Sequence, residues 1–426
     1  MNEISKNVIG LTVAGILAVS CALSQAPKKQ MKDQAEYDLF TGITKETDNN
    51  KKLSLLNTWK TKYENTDYKQ ERLQLYLTTY QGLGQPAKMI ETAKEMLALD
   101  PKDIQGLYWI TFLTPQMNSA AADALDLGQK AAEGLLSAEK PATTDEAAWK
   151  TAKAGMDVLA HKTLGWIPMQ RKDPVAAEKE FSKALELNPN QGEISYWMGT
   201  VILQQKKTER YAEAFFHFAR AASDGPGGLP TPQGRKQIDD YWVKLYTSFH
   251  GKDDAGAAEI RTMAKASHMP PAGFKIKNVH EIASENEEKF KASNPQLALW
   301  LGLKKELVGE NSAGYWESGM KGAALPKLKG TVISQKPVAN AKELVIGIEN
   351  AANPEVTLKL EKPLPGKFEE NTVVEFEGVP AEFTKEPFMV TIDVEDGKLT
   401  GWTGKVAAPA KRPAAKKGAA KGAAKK

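Results

Sequence analysis

The chain has a single cysteine, Cys21, and only five histidines among its 426 residues. One cysteine excludes any disulfide within the chain. Cys21 also lies inside an N-terminal export-like segment, so thiolate catalysis and thiolate metal sites are excluded from the domains that follow it. The histidines, His161, His217, His250, His268 and His280, contain no pair at the spacing of a helical metal site. His280-Glu281 opens as a zinc-protease motif does, but Ser284 stands where the second histidine is needed. His161 and His217 fall inside expected helices and read as packing or surface residues. No Gly-x-Ser-x-Gly elbow occurs. Gly225 to Gly228, the best glycine-rich loop, lacks the Gly-Lys-Ser/Thr ending of a phosphate loop and follows no strand. Glu285, Glu287 and Glu288 read as a solvated helix face. Glu375 and Glu377 share one side of an expected strand whose other side carries Val374 and Phe376, so they read as its wet side. No catalytic residue, metal or cofactor is assigned.

A long apolar run is also lacking. Lys6 precedes an uncharged stretch from Asn7 to Pro27 whose apolar core, Val8 to Val19, is shorter than the roughly 20 residues of a membrane helix. That length suits the central region of a secretory signal, and the small residues Ser20, Ala22, Ser24 and Ala26 follow it. Cleavage after Ala22 or Ser24 is compatible with the pattern; Pro27 disfavours cleavage after Ala26. Ala18-Val19-Ser20-Cys21 also resembles a bacterial lipoprotein signal, which implies lipidation of Cys21, although Ala18 stands where leucine is commoner. An uncleaved anchor is the third reading. The expectation is an exported chain, periplasmic or envelope-associated, with residues 1–26 as its signal.

The net charge of +4 is set by one end. Lys405 to Lys426 holds eight basic residues and no acidic one, and without it 49 basic face 53 acidic residues. From Ala407 onward the chain is Ala, Lys, Gly and Pro apart from Arg412, with nothing large to bury, so residues 403–426 are expected to be a disordered tail. It resembles the basic tails of histone-like proteins. Its cations Lys411, Arg412, Lys416, Lys417, Lys421, Lys425 and Lys426 are candidates for contact with an anionic surface, each worth on the order of 1 kcal/mol near an anionic membrane.

What the sequence does have is a repeat. Leu164-Gly165, Ala177, Phe181, Ala184 and Pro189 are matched by Met198-Gly199, Ala214, Phe218, Ala221 and Pro226, and Gly165 to Gly199 is 34 residues. Small residues belong where two helices touch, an aromatic fills the space between them, and a proline follows the second helix. This resembles the tetratricopeptide repeat, a helix–turn–helix unit of that period. His161 and Pro168 depart from the family pattern, which has Trp and Tyr there, and Pro168 is expected to kink or end its helix. The second copy is longer by the stretch Gln204 to Arg210, read as an extended turn.

Degenerate copies surround these two. Gln34–Phe40 and the stripe Leu53, Leu55, Leu56, Trp59 and Tyr63 read as a first helix pair, capped between them by Asp48-Asn49-Asn50. Residues 70–103 and 104–137 read as further pairs, and Leu-Asp-Pro at 99–101 repeats as Leu-Asn-Pro at 187–189. A helix restarts near Trp149 after Pro141. Residues 238–249 and 255–266 make another pair, and 280–290 and 296–308 are expected to close the stack. The helical domain is thus 27–310, with a linker at 311–326.

Beyond the linker the period becomes strand-like. Six short strands are expected at 328–334, 344–348, 356–360, 372–378, 388–394 and 398–402, with Asp396-Gly397 as a hairpin signal between the last two. They make residues 327–402 a small all-β barrel or sandwich, loosely resembling an OB-fold. The fold class is therefore mainly α: a tetratricopeptide-like solenoid, a small all-β barrel-like domain and a basic tail.

The resemblance implies a concave groove lined by the first helix of each pair. On these helices Lys162, Trp166 and Gln170, then Glu193, Tyr196 and Thr200, are the candidate groove residues for a protein or peptide partner. Packing between helices is the other reading for Trp166. Lys162 is followed four residues on by Trp166, not Asn, so a carboxylate clamp of the family's kind is not implied. The expectation is a non-catalytic scaffold or adaptor of a bacterial envelope. Its alternatives are a nucleic-acid-binding protein using the β domain and tail, and an enzyme whose site is built of unrecognised residues.

Overall fold

Residues 29–405 are described by a computed structural model in which the chain divides after Val279. The N-terminal segment with Cys21, and the tail cations from Lys411 to Lys426, lie outside the described residues.

The first unit is a run of paired helices: α1 (Gln34–Lys45), α2 (Asn49–Lys62), α3 (Lys69–Gly82), α4 (Pro86–Leu99), α5 (Ile104–Met117), α6 (Ala122–Leu136), α7 (Glu146–Gln170), α8 (Pro174–Leu187), α9 (Gly192–Gln204), α10 (Tyr211–Ala222), α11 (Pro232–His250) and α12 (Asp254–Ala266). Their starts follow from the residues there. Asp48, Asp103, Asp145, Asp173 and Asp253 each accept a backbone N–H of the first turn. Pro86, Pro174 and Pro232 occupy the first helical position, where no N–H is needed. The ends at Leu99 and Leu187 fall just before Pro101 and Pro189, as the shared punctuation implied.

From α1 to α11 each helix packs on the next, α12 packs on α10, and the first helices α5, α7 and α9 also touch one another in turn. This is a tetratricopeptide-like helical solenoid. The pairs close at glycine. A Cβ on Gly165 would lie 2.5 Å from the Phe181 ring, and one on Gly199 would lie 2.9 Å from Phe218. Only glycine admits these rings, both of which are fully buried together with Ala177, Ala184, Ala214 and Ala221. A second tie runs between first helices, where the buried Thr163 hydroxyl of α7 donates to the Thr111 carbonyl of α5 at 2.9 Å.

The departures from the repeat pattern take these forms. The helix near Trp149 does not stop before the repeat: α7 is continuous for 25 residues. Pro168 sits in its last turn, where α7 ends at Gln170 and the Pro168 carbonyl accepts the Asp173 N–H at 2.8 Å. The stretch Gln204 to Arg210 is a turn followed by a short 3₁₀ segment, Thr208–Arg210.

The second unit contains α13 (Val279–Ser293, whose first residue ends the first unit), α14 (Pro295–Val308), α15 (Ser312–Tyr315) with a π-helical turn over Trp316–Met320, and the strands β1 (Leu325–Lys336), β2 (Ala341–Gly347), β3 (Val356–Leu364), β4 (Val373–Thr384), β5 (Met389–Val394) and β6 (Leu399–Thr400). Five strands form a closed barrel in the order β1-β2-β3-β5-β4, with β4 pairing back onto β1. All pairings are antiparallel except β3 with β5. Alternation puts Leu328, Leu344, Ile346, Val356, Leu358, Val374, Phe376, Val390 and Ile392 inside. The expected hairpin across Asp396-Gly397 is not formed. Gly397 makes the turn at φ 79°, but β6 pairs with β4, not with β5.

The expected closing helices and linker are also corrected. α14 is not the end of the repeat stack: Trp300 and Leu307 on its apolar stripe belong to the barrel core. Residues 312–320 are helical, and Trp316 and Met320 are buried in the same core. The physical reason is seven-residue spacing of Trp300 and Leu307, which gives one helical stripe a long contact with the barrel.

A buried ion pair holds α14 there. The Glu355 carboxylate accepts Lys304 Nζ at 2.6 Å, the N–H groups of Ile348 and Glu349 at 2.8 and 2.7 Å, and the Trp300 indole at 3.4 Å. Burial pushes the Glu355 carboxyl up, but the bonds from Lys304 and the two backbone N–H groups outweigh it and hold its pKa below the ordinary 4.5. A depressed folded-state pKa contributes stability above the unfolded value, and that contribution is lost as pH falls through the folded value. The barrel transition in calorimetry of the full chain should therefore drop to lower temperature as the pH falls below 4.5. Glu355→Gln should lower its melting temperature at neutral pH and flatten this acid dependence; an equally steep dependence in the variant would assign it to other carboxylates.

Candidate functional site

The first-helix face of the repeat unit carries the expected groove residues, and they fare differently. Lys162 of α7 and Glu193 of α9 meet directly: Nζ lies 2.5 Å from the carboxylate, with both side chains partly exposed. The same ammonium stands 5.3 Å from the centre of the Trp197 ring. Tyr196 is half-buried 5.9 Å from Phe218, and burial raises its phenol pKa. The Thr200 hydroxyl is turned back onto its own helix, donating to the Tyr196 carbonyl at 2.9 Å. Gln170 is half-buried at the end of α7.

Trp166 is corrected. It is 3% exposed, packed with Leu125 and Ile167 and covered by Met169 and Trp197. Four residues advance a helix by a full turn plus about 40°. From the open position of Lys162, that rotation carries Trp166 toward the stripe of Thr163 and Ile167, which is buried. Packing, the other reading of this residue, describes its environment.

The aromatic surface lies elsewhere on the first helices. Tyr108, Trp109 and Phe112 of α5 form a half-buried cluster, with Tyr108 and Phe112 stacked at 6.0 Å and 6°. Tyr76 and Tyr80 of α3 stack at 5.7 Å; Tyr80 is half-buried, while burial pushes Tyr76 up to about 12. Tyr241 of α11 is 44% exposed, 5.4 Å from Phe218, so one buried ring joins it to Tyr196. Trp197, the neighbour of Tyr196, replaces Trp166 as the tryptophan beside Lys162. The signal for Tyr108 and Phe112 was their spacing of four on α5; the partly open aspect of that stripe was not readable from spacing.

The histidines bear out no ligand arrangement. His161 Nδ1 lies 2.7 Å from Glu180. His217 is buried, and burial, reinforced by Arg220, pushes its pKa down to about 3, so it is neutral near pH 7. Among the described residues no three His, Cys, Asp or Glu side chains are grouped to hold a metal ion, and no helix is long and apolar enough to cross a membrane. Glu375 and Glu377 lie on the outer side of β4, paired with Lys327 at 3.7 Å and Lys398 at 2.9 Å.

No family model and no curated protein matches the sequence. Several solved structures are similar to this chain in part, at low identity. The Pseudomonas aeruginosa pilF structure is 16% identical, over 61% of this chain and 91% of that one, with a TM-score of 0.32. A thermophilic TPR protein of Thermus thermophilus is 14% identical, over 49% and 97%, with a TM-score of 0.29. The assembly chaperone of RpL4, Acl4, is 15% identical, over 61% and 99%, with a TM-score of 0.36. The repeat architecture of this chain stands on its own helix pairing.

The two tryptophan-face residues separate packing from surface. Trp166→Ala should cost about 3–5 kcal/mol in urea unfolding of the first unit. Lys162→Ala, which removes a partly exposed ion pair, should cost less than about 1 kcal/mol. Equal losses would mean that Lys162 is part of the core and not of an open face.

Proposed function

We propose that this chain is a non-catalytic scaffold or adaptor that holds a protein or peptide partner along the first-helix face of its repeats. The observation that carries this is the set of half-buried or exposed aromatic rings on the first helices α3, α5, α9 and α11, Tyr80, Tyr108, Phe112, Tyr196 and Tyr241, with the Lys162–Glu193 pair joining α7 to α9. Rigid aromatic rings give large contact area at small entropic cost, and a partly exposed ion pair can exchange partners at an interface. The aromatic and hydrogen-bonding mixture suits a peptide or an amphipathic helix.

In this reading the N-terminal segment exports the chain, and the envelope of a bacterium is its place, with Cys21 as a lipid anchor if the lipoprotein pattern is used. The tail adds reversible adhesion to an anionic envelope surface. An OB-like role for the barrel in nucleic-acid binding finds less support. Over 325–405 it has 10 lysines against 13 carboxylates, and Lys327, Lys359, Lys362 and Lys398 are paired with acidic neighbours. A nucleic-acid face needs uncompensated cations.

Capture from an envelope extract tests the reading. The full chain, Tyr108→Ala/Phe112→Ala, and a chain ending at Lys405 are compared, each checked for helix content by circular dichroism. A partner kept by the first and third but lost by the second supports the first-helix face. Capture that follows the tail alone, or that persists in the double variant, would falsify it.

A further inference from the structure

The first unit holds a second feature on a different side of its last helices. A hollow of about 440 Å³ lies between α10, α11 and α12. On α11, Arg235 and Asp239 line it, whereas Tyr241, two residues on, points to the far side of the helix. Its floor includes Ala219 and Ala222, small residues on the helix that also carries Phe215, Phe216 and Phe218. Its rim is cationic, with Arg235, Lys236, Arg261 and Lys265 against only Asp224 and Asp239.

Both carboxylates are already committed. Asp239 accepts Arg261 through two bonds of 2.9 and 3.0 Å and the Trp242 indole at 2.9 Å. Asp224 pairs with Lys265 at 2.8 Å, and Lys236 reaches Asp240 at 2.6 Å. Arg235 differs. Its Nη1 donates to the carbonyls of Leu229 and Pro230 at 2.7 and 3.1 Å, which fixes the guanidinium. Among the described residues no carboxylate pairs with it, and its Nε and Nη2 donors remain. The Ser223 hydroxyl, behind this wall, is buried from solvent against Gly225 and Gly228 and does not face the hollow. A fixed guanidinium with donors to spare beside a hollow of this size is a recognition arrangement lacking its acceptor.

We propose that this cleft binds an acidic segment of a protein partner, one carboxylate on Arg235 and its short apolar stem on Ala219 and Ala222. The apolar floor favours a carboxylate on a stem over a bare oxyanion, which would leave the hollow unfilled. With Lys236 paired to Asp240, the one positive charge left over is that of Arg235, which suits a single carboxylate, while Asp224 and Asp239 repel a densely charged polyanion. This site is independent of the first-helix face.

The test is fluorescence anisotropy of the full chain with a fluorescein-labelled peptide of alternating Glu and Ala. The basic tail is present in every variant, so differences report the cleft. Arg235→Gln should weaken binding roughly tenfold or more, and Lys102→Gln, at an exposed position away from both surfaces, should leave it unchanged. Less than a twofold change in Arg235→Gln overturns the proposal. Should Arg235→Gln lose its helical signal, Lys236→Glu, at an exposed position, reads the same cleft; about threefold weakening supports the proposal and unchanged binding overturns it. Displacement of the peptide by low-millimolar inorganic phosphate also overturns it, in favour of a small-anion site.

Discussion

A phenylalanine ring seated against a helical glycine is the contact on which the repeat unit depends. At Gly165 against Phe181, and again at Gly199 against Phe218, the missing Cβ lets two helices approach until the ring fills the whole gap. A glycine inside a helix costs about 1 kcal/mol relative to alanine. Burying a phenylalanine contributes about 1.5–3 kcal/mol, so the exchange is favourable only while the ring stays fully enclosed. The alanines one turn either side of each ring keep it so. Once the pair distance is set in this way, the next first helix must lie alongside, and the Thr163–Thr111 bond ties that inner layer. The half-open rings Tyr196 of α9 and Tyr241 of α11 both lean on Phe218 of α10, so the ring that sets this spacing also seats them.

Sequence periodicity encodes which face of an element is apolar, and that much was legible. The 34-residue period placed the two central pairs, Asp48 marked a helix start that forms, and strict alternation around Val374 and Phe376 identified the inner side of β4. What periodicity leaves open is the neighbour that covers the face. The helix at 296–308 was visible, but nothing in the spacing of its apolar residues Trp300 and Leu307 distinguishes a repeat stack from a barrel. Asp396-Gly397 likewise marked a turn without telling which strand would receive the chain after it. Trp166 failed for a finer reason. It lies at the border of the buried stripe, where the i, i+4 relation to Lys162 shares a side of the helix but not its exposure.

The two units solve the problem of buried charge in the same way. In the second, Glu355 is enclosed only because an ammonium, two backbone N–H groups and an indole converge on it. In the first, Arg220 is 5% exposed, and its guanidinium donates to the carbonyls of Ala264 and Pro189 at 2.9 Å and also to that of Ser267. A cation at the C-terminal end of α12 is favoured by the helix dipole as well as by these acceptors. Arg220 therefore joins α10, the end of α12 and the α8–α9 connection by a single side chain.

That junction bears on the surface around it. Desolvation disfavours the Arg220 charge, and only the three carbonyls compensate, since its Nε has no partner. An arrangement that satisfies a buried guanidinium incompletely persists when the surrounding packing leaves no alternative position for it. Here the packing is the aromatic core of α10 on one side and the close-packed Gly227 on the other, whose absent Cβ would fall 2.4 Å from the guanidinium carbon. The connection from Ser223 to Thr231 is packed against α10, where the Leu229 N–H also donates to the Ala221 carbonyl at 2.8 Å, and it carries the carbonyls of Leu229 and Pro230 that orient Arg235. Rigidity at this point lowers the entropic cost of any contact made by Arg235, because its geometry is set before a partner arrives.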